Sequence, residues 1–155
     1  MEEMHVLLRN RGKIIPTDAK SYMSVGGYVA LKKALSMEGA EIIQVLKDAG
    51  LRGRGGAGFP TYLKLQFAYN TQSDEKYIVC NADEGEPGTN KDRVLLSEDP
   101  NSIFEGMAIA AKAIGEHKPC IFFWNVMLNQ ILIIGKQSFH VRCIGLGKRF
   151  IQSLR

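Results

Sequence analysis

The sequence predicts an α/β protein in which a helical lead-in is followed by the start of a parallel sheet. Before residue 51, apolar residues recur at helical spacing. Between residues 76 and 123, a strand pattern, a helix pattern and a second strand pattern follow one another, and this βαβ order implies parallel strands. The 155 residues are 45% apolar and 23% charged, a composition typical of one globular domain with a buried core.

The charge is divided unevenly along the chain. All 16 acidic residues lie in positions 1–116 beside 14 Lys and Arg, so that part sums to −2. The last 39 residues carry six Lys and Arg and no acid, and they sum to +6. A basic nucleic-acid-binding body is therefore not expected. Three cysteines at wide spacing and the absence of an apolar N-terminal run indicate a cytoplasmic chain without a signal peptide.

Three short helices are predicted in the lead-in, residues 1–50, and no chemistry is assigned to them. Thr17 or Asp18 caps the first helix, which ends at Gly26-Gly27, and Gly50 is a C-terminal cap of the third. Two apolar faces are expected to be core. They are Tyr28, Leu31 and Leu35 in the second helix, and Ile42, Val45, Leu46 and Ala49 in the third.

The stretch LRGRGGAGFPT, residues 51–61, contains four glycines and begins a second segment. Backbone N–H groups of such a loop can face a phosphorylated cofactor, although a plain flexible loop is an equal alternative. Gly53-x-Gly55-x-x-Gly58 matches the dinucleotide fingerprint, but that fingerprint should follow a strand, and here a helix is predicted to precede it. A helix is expected to begin at Pro60, and Arg52, Arg54 and Lys64 supply positive charge. Phe59 and Phe67 could stack on a flat ring or be ordinary core aromatics.

A short buried strand is predicted at Lys76–Cys80, followed at once by the carboxylates of Asp83, Glu84 and Glu86. Carboxylates at the carboxyl end of a strand can bind ribose or ribityl hydroxyls or a hard metal ion; a solvated acidic turn is the alternative. Residues 89–99 are expected to form an irregular helical piece. Asp99-Pro100 begins a helix that Gly115 ends, and a strand follows at Cys120–Phe123.

Taken together, the segments GLRGRGGAGFPT, YIVCNADEGEPGTNKDR and FEGMAIAAKAIG resemble the flavin-carrying, NADH-oxidising subunit of respiratory complex I (51 kDa type). They also resemble relatives in NAD(P)-reducing hydrogenases and NAD-linked formate dehydrogenases. The resemblance covers roughly residues 7–118 and rests on two rare motifs in the right order and separation. It implies that residues 51–118 are the first part of a Rossmann-like FMN-binding domain with a parallel sheet, truncated here.

The resemblance also implies a role for individual residues. It assigns the following residues to cofactor contacts: Gly53, Arg54, Gly55, Gly56, Gly58, Lys64, Asn81, Asp83 and Glu84 to FMN, and Phe59, Phe67 and Glu86 to the nicotinamide nucleotide. The implied chemistry is hydride transfer from NADH to FMN, with electrons passed to an iron–sulfur chain, so no protein general base is required. Implied partners are other subunits of an NADH dehydrogenase or hydrogenase complex, notably a 2Fe-2S subunit, at a location peripheral to a membrane complex.

Several positions depart from the family pattern. Tyr62 stands where glycine is common and could crowd the flavin, Leu65 stands where tryptophan is common, and Arg11 replaces a frequent cysteine. After about Lys118 the YxxGEETxL motif and the CxxCxxC ligands of the family's 4Fe-4S cluster are absent from these 155 residues. No metal ligand set is therefore predicted, and a non-catalytic remnant that folds or binds only with partner subunits is the alternative function.

Residues 119–155 form an atypical basic, apolar tail with three interpretations. A frameshifted end is favoured by the sudden loss of acids. Membrane attachment is disfavoured because Pro119–Ile134 is shorter than the ~20 residues that span a bilayer, and a nucleic-acid arm is disfavoured by the interspersed apolar residues.

The frameshift interpretation makes a direct prediction about the gene. We expect another reading frame downstream of codon 118 to encode GEET and CxxCxxC, which sequencing of that region would show. If no frame encodes them, the frameshift interpretation is wrong.

Overall fold

The computed structural model describes residues 6–74, 76–82, 86–115, 120–124, 140–145 and 148–150. In these residues the chain forms six helices and four strands. They are α1 (Ala19–Ser24), α2 (Val29–Leu35), α3 (Gly39–Asp48), α4 (Thr61–Asn70), β1 (Tyr77–Asn81), α5 (Lys91–Glu98), α6 (Pro100–Ala113), β2 (Cys120–Trp124), β3 (His140–Gly145) and β4 (Lys148–Phe150). None of the helices in this part of the chain is long and apolar enough to cross a membrane.

The strands pair in chain order. β1 runs parallel to β2 with Tyr77 opposite Cys120, and β2 runs parallel to β3. The last strand, β4, pairs antiparallel with β3. This mixture of helices and strands supports the predicted α/β class. Whether the sheet is that of a Rossmann-like FMN-binding domain stays a prediction.

Local sequence signals place the helix ends as expected. The Asp18 side chain accepts hydrogen bonds from the backbone N–H groups of Lys20 and Ser21 at the start of α1. Gly50 has φ +62° just beyond α3. Asp99 caps α6, which has Pro100 at its first position. Residues 89–99 differ from the expectation because they contain a regular helix, α5.

A buried carboxylate attaches the lead-in to α6. Glu105 is 7% exposed. One of its oxygens accepts hydrogen bonds from the Tyr22 hydroxyl (2.6 Å) and the Tyr28 N–H (2.9 Å), and the other accepts one from the Leu31 N–H (2.9 Å). These donors lie 83, 77 and 74 residues away in sequence, so the bonds connect distant parts of the chain.

Two more polar side chains of the α6 region extend this attachment. The Asn101 side chain accepts a hydrogen bond from the Tyr28 hydroxyl at 2.7 Å and donates one to the Pro16 carbonyl at 2.9 Å. Asn10 donates to the Asp99 carboxylate at 2.7 Å. Polar groups buried this deeply are costly unless they are paired, so these contacts fix the lead-in in one position.

The backbone at the α1–α2 junction is shaped to reach Glu105. Tyr28 has φ +63°, which is rare for a residue with a side chain. This conformation costs on the order of 1 kcal/mol, and its N–H bond to Glu105 offsets that cost. Gly27 lets the Tyr22 ring pack closely, because a Cβ at this position would overlap the ring carbons.

Burial raises the pKa of the Tyr22 phenol above its ordinary value of 10, and the hydrogen bond to Glu105 raises it further. The neutral phenol is therefore favoured in the folded state. Its stabilising contribution is complete below pH 10 and is lost as the pH rises from there through the higher folded pKa.

The core lies where α2, α3, α4 and α6 meet. Ala34, Ile42, Ile43 and Ala113 form one buried cluster, and Gly39 brings α3 so close to α6 that an added Cβ would lie 2.5 Å from the Ala113 carbonyl oxygen. A second cluster around Met107 covers one face of β1 through Ile78 and Cys80.

The predicted core faces of α2 and α3 are partly wrong. Leu35 is 60% exposed, and Ala34 is buried instead. The prediction counts helical spacing from Tyr28, which is left-handed and lies outside the helix.

In α3, Val45 is 51% exposed and Ala49 is also exposed. The buried stripe of this helix contains Gly39, Ile42 and Ile43. At about 100° per residue, Val45 lies about 120° around the helix from Gly39, so it points away from α6.

We expect the Glu105→Ala substitution to lower the free energy of unfolding by about 3 kcal/mol, because it leaves three donors without their acceptor. Urea unfolding monitored by circular dichroism measures the change. Glu98→Ala is the control: Glu98 is partly exposed and its carboxylate lies 3.9 Å from the Arg11 guanidinium, so the expected change is below about 0.5 kcal/mol. Equal effects of the two substitutions would contradict the role of Glu105.

Candidate functional site

A three-pair backbone ladder closes the glycine-rich stretch between α3 and α4. The Thr61 N–H donates to the Leu51 carbonyl at 2.9 Å, and the Gly53 N–H donates to the Phe59 carbonyl at 2.8 Å. Between these bonds, Arg52 and Pro60 face each other in an antiparallel bridge. We call these three pairs the neck. Residues 54–58, which project from it, are called the tip.

The neck excludes the usual Rossmann turn, as the sequence suggested. A helix, α3, precedes the loop and another, α4, follows it, whereas the dinucleotide fingerprint links a strand to a helix. Pro60 fits the ladder because Gly53 and Thr61 supply the N–H donors on either side of it. Pro60 occupies the N-cap position of α4, so the helix begins at Thr61, one residue later than predicted.

The glycines of the loop fall into two kinds. Gly56 and Gly58 have φ of +100° and +60°, so the backbone itself favours glycine there. Gly53 and Gly55 have no such requirement. A Cβ on Gly53 would meet Phe59 backbone atoms only at ordinary contact distance, 3.5 Å, and a Cβ on Gly55 would meet nothing within 4 Å. The fold of the described residues does not explain glycine at these two positions, but close approach of an external group does.

Positive charge surrounds this loop. Residues 49–73 contain Arg52, Arg54 and Lys64 and no acidic residue. All three side chains belong to exposed residues. Together with the N-terminal end of α4, which no side chain caps, they favour an anionic ligand.

The two aromatic candidates are exposed. Phe59 at the neck is 47% exposed, and Phe67 on α4 is 61% exposed. The alternative of ordinary core aromatics is therefore wrong for both. Tyr62 and Leu65, the two departures from the family pattern in α4, instead pack against the core cluster, and the Lys47 ammonium lies 5.7 Å from the centre of the Tyr62 ring.

The acidic half of the predicted site follows β1. Asn81 is the last residue of β1 and is exposed, Ala82 is buried, and Glu86 is exposed in a turn that the Thr89 N–H closes on its carbonyl at 3.2 Å. Asp83 and Glu84 lie outside the described residues. Burial raises the pKa of the Cys80 thiol in this strand, and the nearby Asp92 charge raises it further.

The two halves of the predicted site share α6 as a support. The loop is attached through α3 and α4, both of which contact α6, and β1 packs on another part of the same helix. That the loop and the end of β1 surround one ligand stays a prediction. A polar cleft of about 410 Å³ lies elsewhere, next to Lys76 before β1 and Lys112 near the end of α6, and contains none of the predicted residues.

Sequence reasoning missed the contact made by Arg52. Its guanidinium Nη1 donates a hydrogen bond to the Gly58 carbonyl oxygen at 3.2 Å across the loop. The only signal in the sequence is an arginine at the base of a glycine-rich loop, and that pattern by itself indicates positive charge for a phosphate.

Comparison with known families decides the relationship that the motifs suggested. The sequence pattern of the Nuo51 FMN-binding domain matches residues 46–132, more than half of the chain. The chain belongs to the Nuo51 FMN-binding family. The resemblance stated from the two motifs is thereby confirmed.

Related proteins of known function cover both branches of this family. The chain is 44% identical over 121 residues to the NADP-reducing hydrogenase subunit HndC of Solidesulfovibrio fructosivorans, covering 78% of this chain and 24% of HndC. It is 46% identical over 122 residues to an NADH-quinone oxidoreductase subunit of Rhizobium meliloti, covering 76% of this chain and 28% of that subunit. The chain thus spans about a quarter of the length of these relatives.

Solved structures agree at the level of the fold. A structure of NAD+-reducing [NiFe]-hydrogenase in the air-oxidised state matches with a TM-score of 0.56 and 40% identity, over 78% of this chain and 19% of that chain. The same type of enzyme in the H2-reduced state matches with a TM-score of 0.51 and 52% identity, over 56% and 15%.

The two kinds of glycine give a paired test of the loop. We expect Gly56→Ala to lower the free energy of unfolding by about 1 kcal/mol, because alanine is strained at φ +100°. Gly55→Ala should change it by less than about 0.5 kcal/mol, because the added methyl meets nothing within 4 Å. Urea unfolding measures both, and a larger loss for Gly55→Ala would mean that the fold itself requires Gly55.

Proposed function

We propose that residues 51–118 form the first part of a Rossmann-like, parallel-sheet domain that binds FMN and NADH in an NADH-oxidising flavoprotein subunit. The observation that carries this proposal is the pair Gly53 and Gly55, where a Cβ would meet no clash within the described residues, so that close approach of an external group accounts for glycine there. Membership of the Nuo51 FMN-binding family supplies the identity of that group.

The loop residues fit a phosphorylated cofactor in three ways. Gly55 and Gly56 let the backbone approach it closely, Arg54 and Lys64 offset the phosphate charge, and the start of α4 presents N–H groups to it. When bound, FMN supplies the redox chemistry: reduction by hydride from NADH and release of single electrons to an iron–sulfur chain. The protein's part is to hold and orient the rings.

The second group of residues is proposed to bind the remaining parts of both ligands. Asn81, Asp83 and Glu84 are assigned to flavin hydroxyls and ring edges, since acids at the end of a parallel strand suit such contacts. Phe59 and Phe67 are exposed enough to flank a nicotinamide nucleotide. Glu86 is assigned to the ribose, where its carboxylate would disfavour the extra phosphate of NADPH.

The proposed partners are iron–sulfur subunits of a larger assembly. The relatives named above are subunits of a hydrogenase and of NADH-quinone oxidoreductase, so an electron acceptor such as a 2Fe-2S subunit is expected to dock near the flavin. We propose a cytoplasmic location, peripheral to a membrane complex where the assembly feeds quinone.

Titration of the purified 155-residue chain with FMN and, separately, with riboflavin tests the proposal. We expect quenching of flavin fluorescence, with at least about tenfold tighter binding of FMN than of riboflavin, because only FMN carries the phosphate. Arg54→Gln should weaken FMN binding severalfold while riboflavin binding stays unchanged. Bound flavin should lose its visible absorbance with NADH more readily than with NADPH.

The opposite outcome is equally clear. A folded chain that binds neither flavin would contradict the proposal and favour the alternative, a non-catalytic remnant. Equal affinity for FMN and riboflavin would contradict the assignment of the loop to the phosphate.

A further inference from the structure

The Arg52 side chain lies across the base of the loop. Its guanidinium Nη1 donates to the Gly58 carbonyl at 3.2 Å, while its backbone faces Pro60 in the neck. Gly58 is the last residue of the tip and precedes Phe59, whose carbonyl accepts the Gly53 N–H. One residue therefore connects both arms of the loop through its backbone and its side chain.

This contact separates Arg52 from Arg54, the other arginine of the loop. Arg54 is exposed and projects with the tip, where its charge can meet an anion. The guanidinium of Arg52 is directed to a carbonyl of the chain itself. The two arginines therefore differ in what they can contact, although their sequence context is similar: Arg52 contacts the loop itself, and Arg54 is open to an external anion.

The tip gains little rigidity from packing. A Cβ added at Gly55, Gly56 or Gly58 would meet nothing within 4 Å, so the neck and the Arg52 contact hold the tip in place. Ordering the backbone of a flexible loop costs conformational entropy. A loop that is already ordered loses less conformational entropy when a ligand binds, so the ligand binds more tightly.

We propose that Arg52 is a positioning residue: its bond to the Gly58 carbonyl keeps the loop closed and holds the tip and Phe59 ready for the flavin and the nucleotide. The inference rests on the proposed function for the identity of the ligand. It assigns Arg52 no contact with FMN.

The test uses the full chain and two readouts. Amide hydrogen exchange at Gly53 and Thr61, measured by NMR without ligand, reports closure of the neck. FMN and riboflavin titrations report binding. In Arg52→Gln we expect Gly53 to exchange about threefold faster, the size expected for one exposed hydrogen bond, and affinity for FMN and riboflavin to fall by a similar factor. Arg52→Lys, whose charged ammonium donates from a side chain longer than that of glutamine, should recover part of both effects.

Two further variants separate position from charge. Arg11→Gln removes an exposed arginine outside the loop. The Arg11 side chain lies 3.9 Å from the Glu98 carboxylate, so this substitution should alter neither hydrogen exchange at the neck nor flavin binding. Arg54→Gln should weaken FMN binding and leave riboflavin binding and Gly53 exchange unchanged. Arg52→Gln, by contrast, should weaken both flavins.

Each result distinguishes the two proposals. If the wild-type chain binds FMN but Arg52→Gln leaves Gly53 exchange or flavin affinity unchanged, the role of Arg52 is overturned and the proposed function stands. If Arg52→Gln weakens only FMN, Arg52 acts as a phosphate charge and the positioning role is overturned. If the wild-type chain binds no flavin, the proposed function itself fails.

Discussion

The Glu105 carboxylate is the interaction on which the arrangement of the helices depends. It collects three hydrogen bonds from α1, from the α1–α2 junction and from α2 at a site that is almost closed to water. A buried carboxylate without these donors would be strongly unfavourable, so the lead-in and α6 must assemble together. Helix α6 also contacts α3, α4 and β1. The lead-in, to which no chemistry is assigned, therefore helps to hold in place the helix that supports both halves of the predicted site.

Close contacts between helices connect α6 to the glycine-rich loop. Gly39 brings α3 against the Ala113 carbonyl, α4 packs on α3, and the neck joins the end of one helix to the start of the other. The tip lies beyond this last ordered layer. The backbone bonds of the neck and the Arg52 contact with the Gly58 carbonyl connect the two arms of the loop, which fits the proposal that its glycines bind a ligand.

Local signals predicted more of the fold than of the site. Asp18, Gly50 and the Asp99-Pro100 pair act within one turn of their own helix, so their positions could be predicted from neighbouring residues. Glu105 could not, because its donors lie more than 70 residues away and a glutamate within a helix usually faces solvent. The predicted core face of α2 is partly wrong for the same reason. It is counted from Tyr28, whose left-handed conformation depends on the distant Glu105 carboxylate.

In the predicted site, too, the residue types could be read from the sequence, but the exposure and packing of each side chain could not. Spacing alone left Phe59 and Phe67 suited to the core or to a ligand; their exposure contradicts the core role, and the ligand role stays a prediction. Tyr62 shows the converse. Its place in the family pattern suggested crowding of the flavin, yet its ring packs on the core cluster beneath Lys47. Residues 62 and 65 therefore belong to the buried side of α4, whereas Lys64 and Phe67 belong to its exposed side. The departure from the family at Tyr62 thus concerns how α4 packs on the core cluster, while the ligand contacts of Lys64 and Phe67 stay predictions.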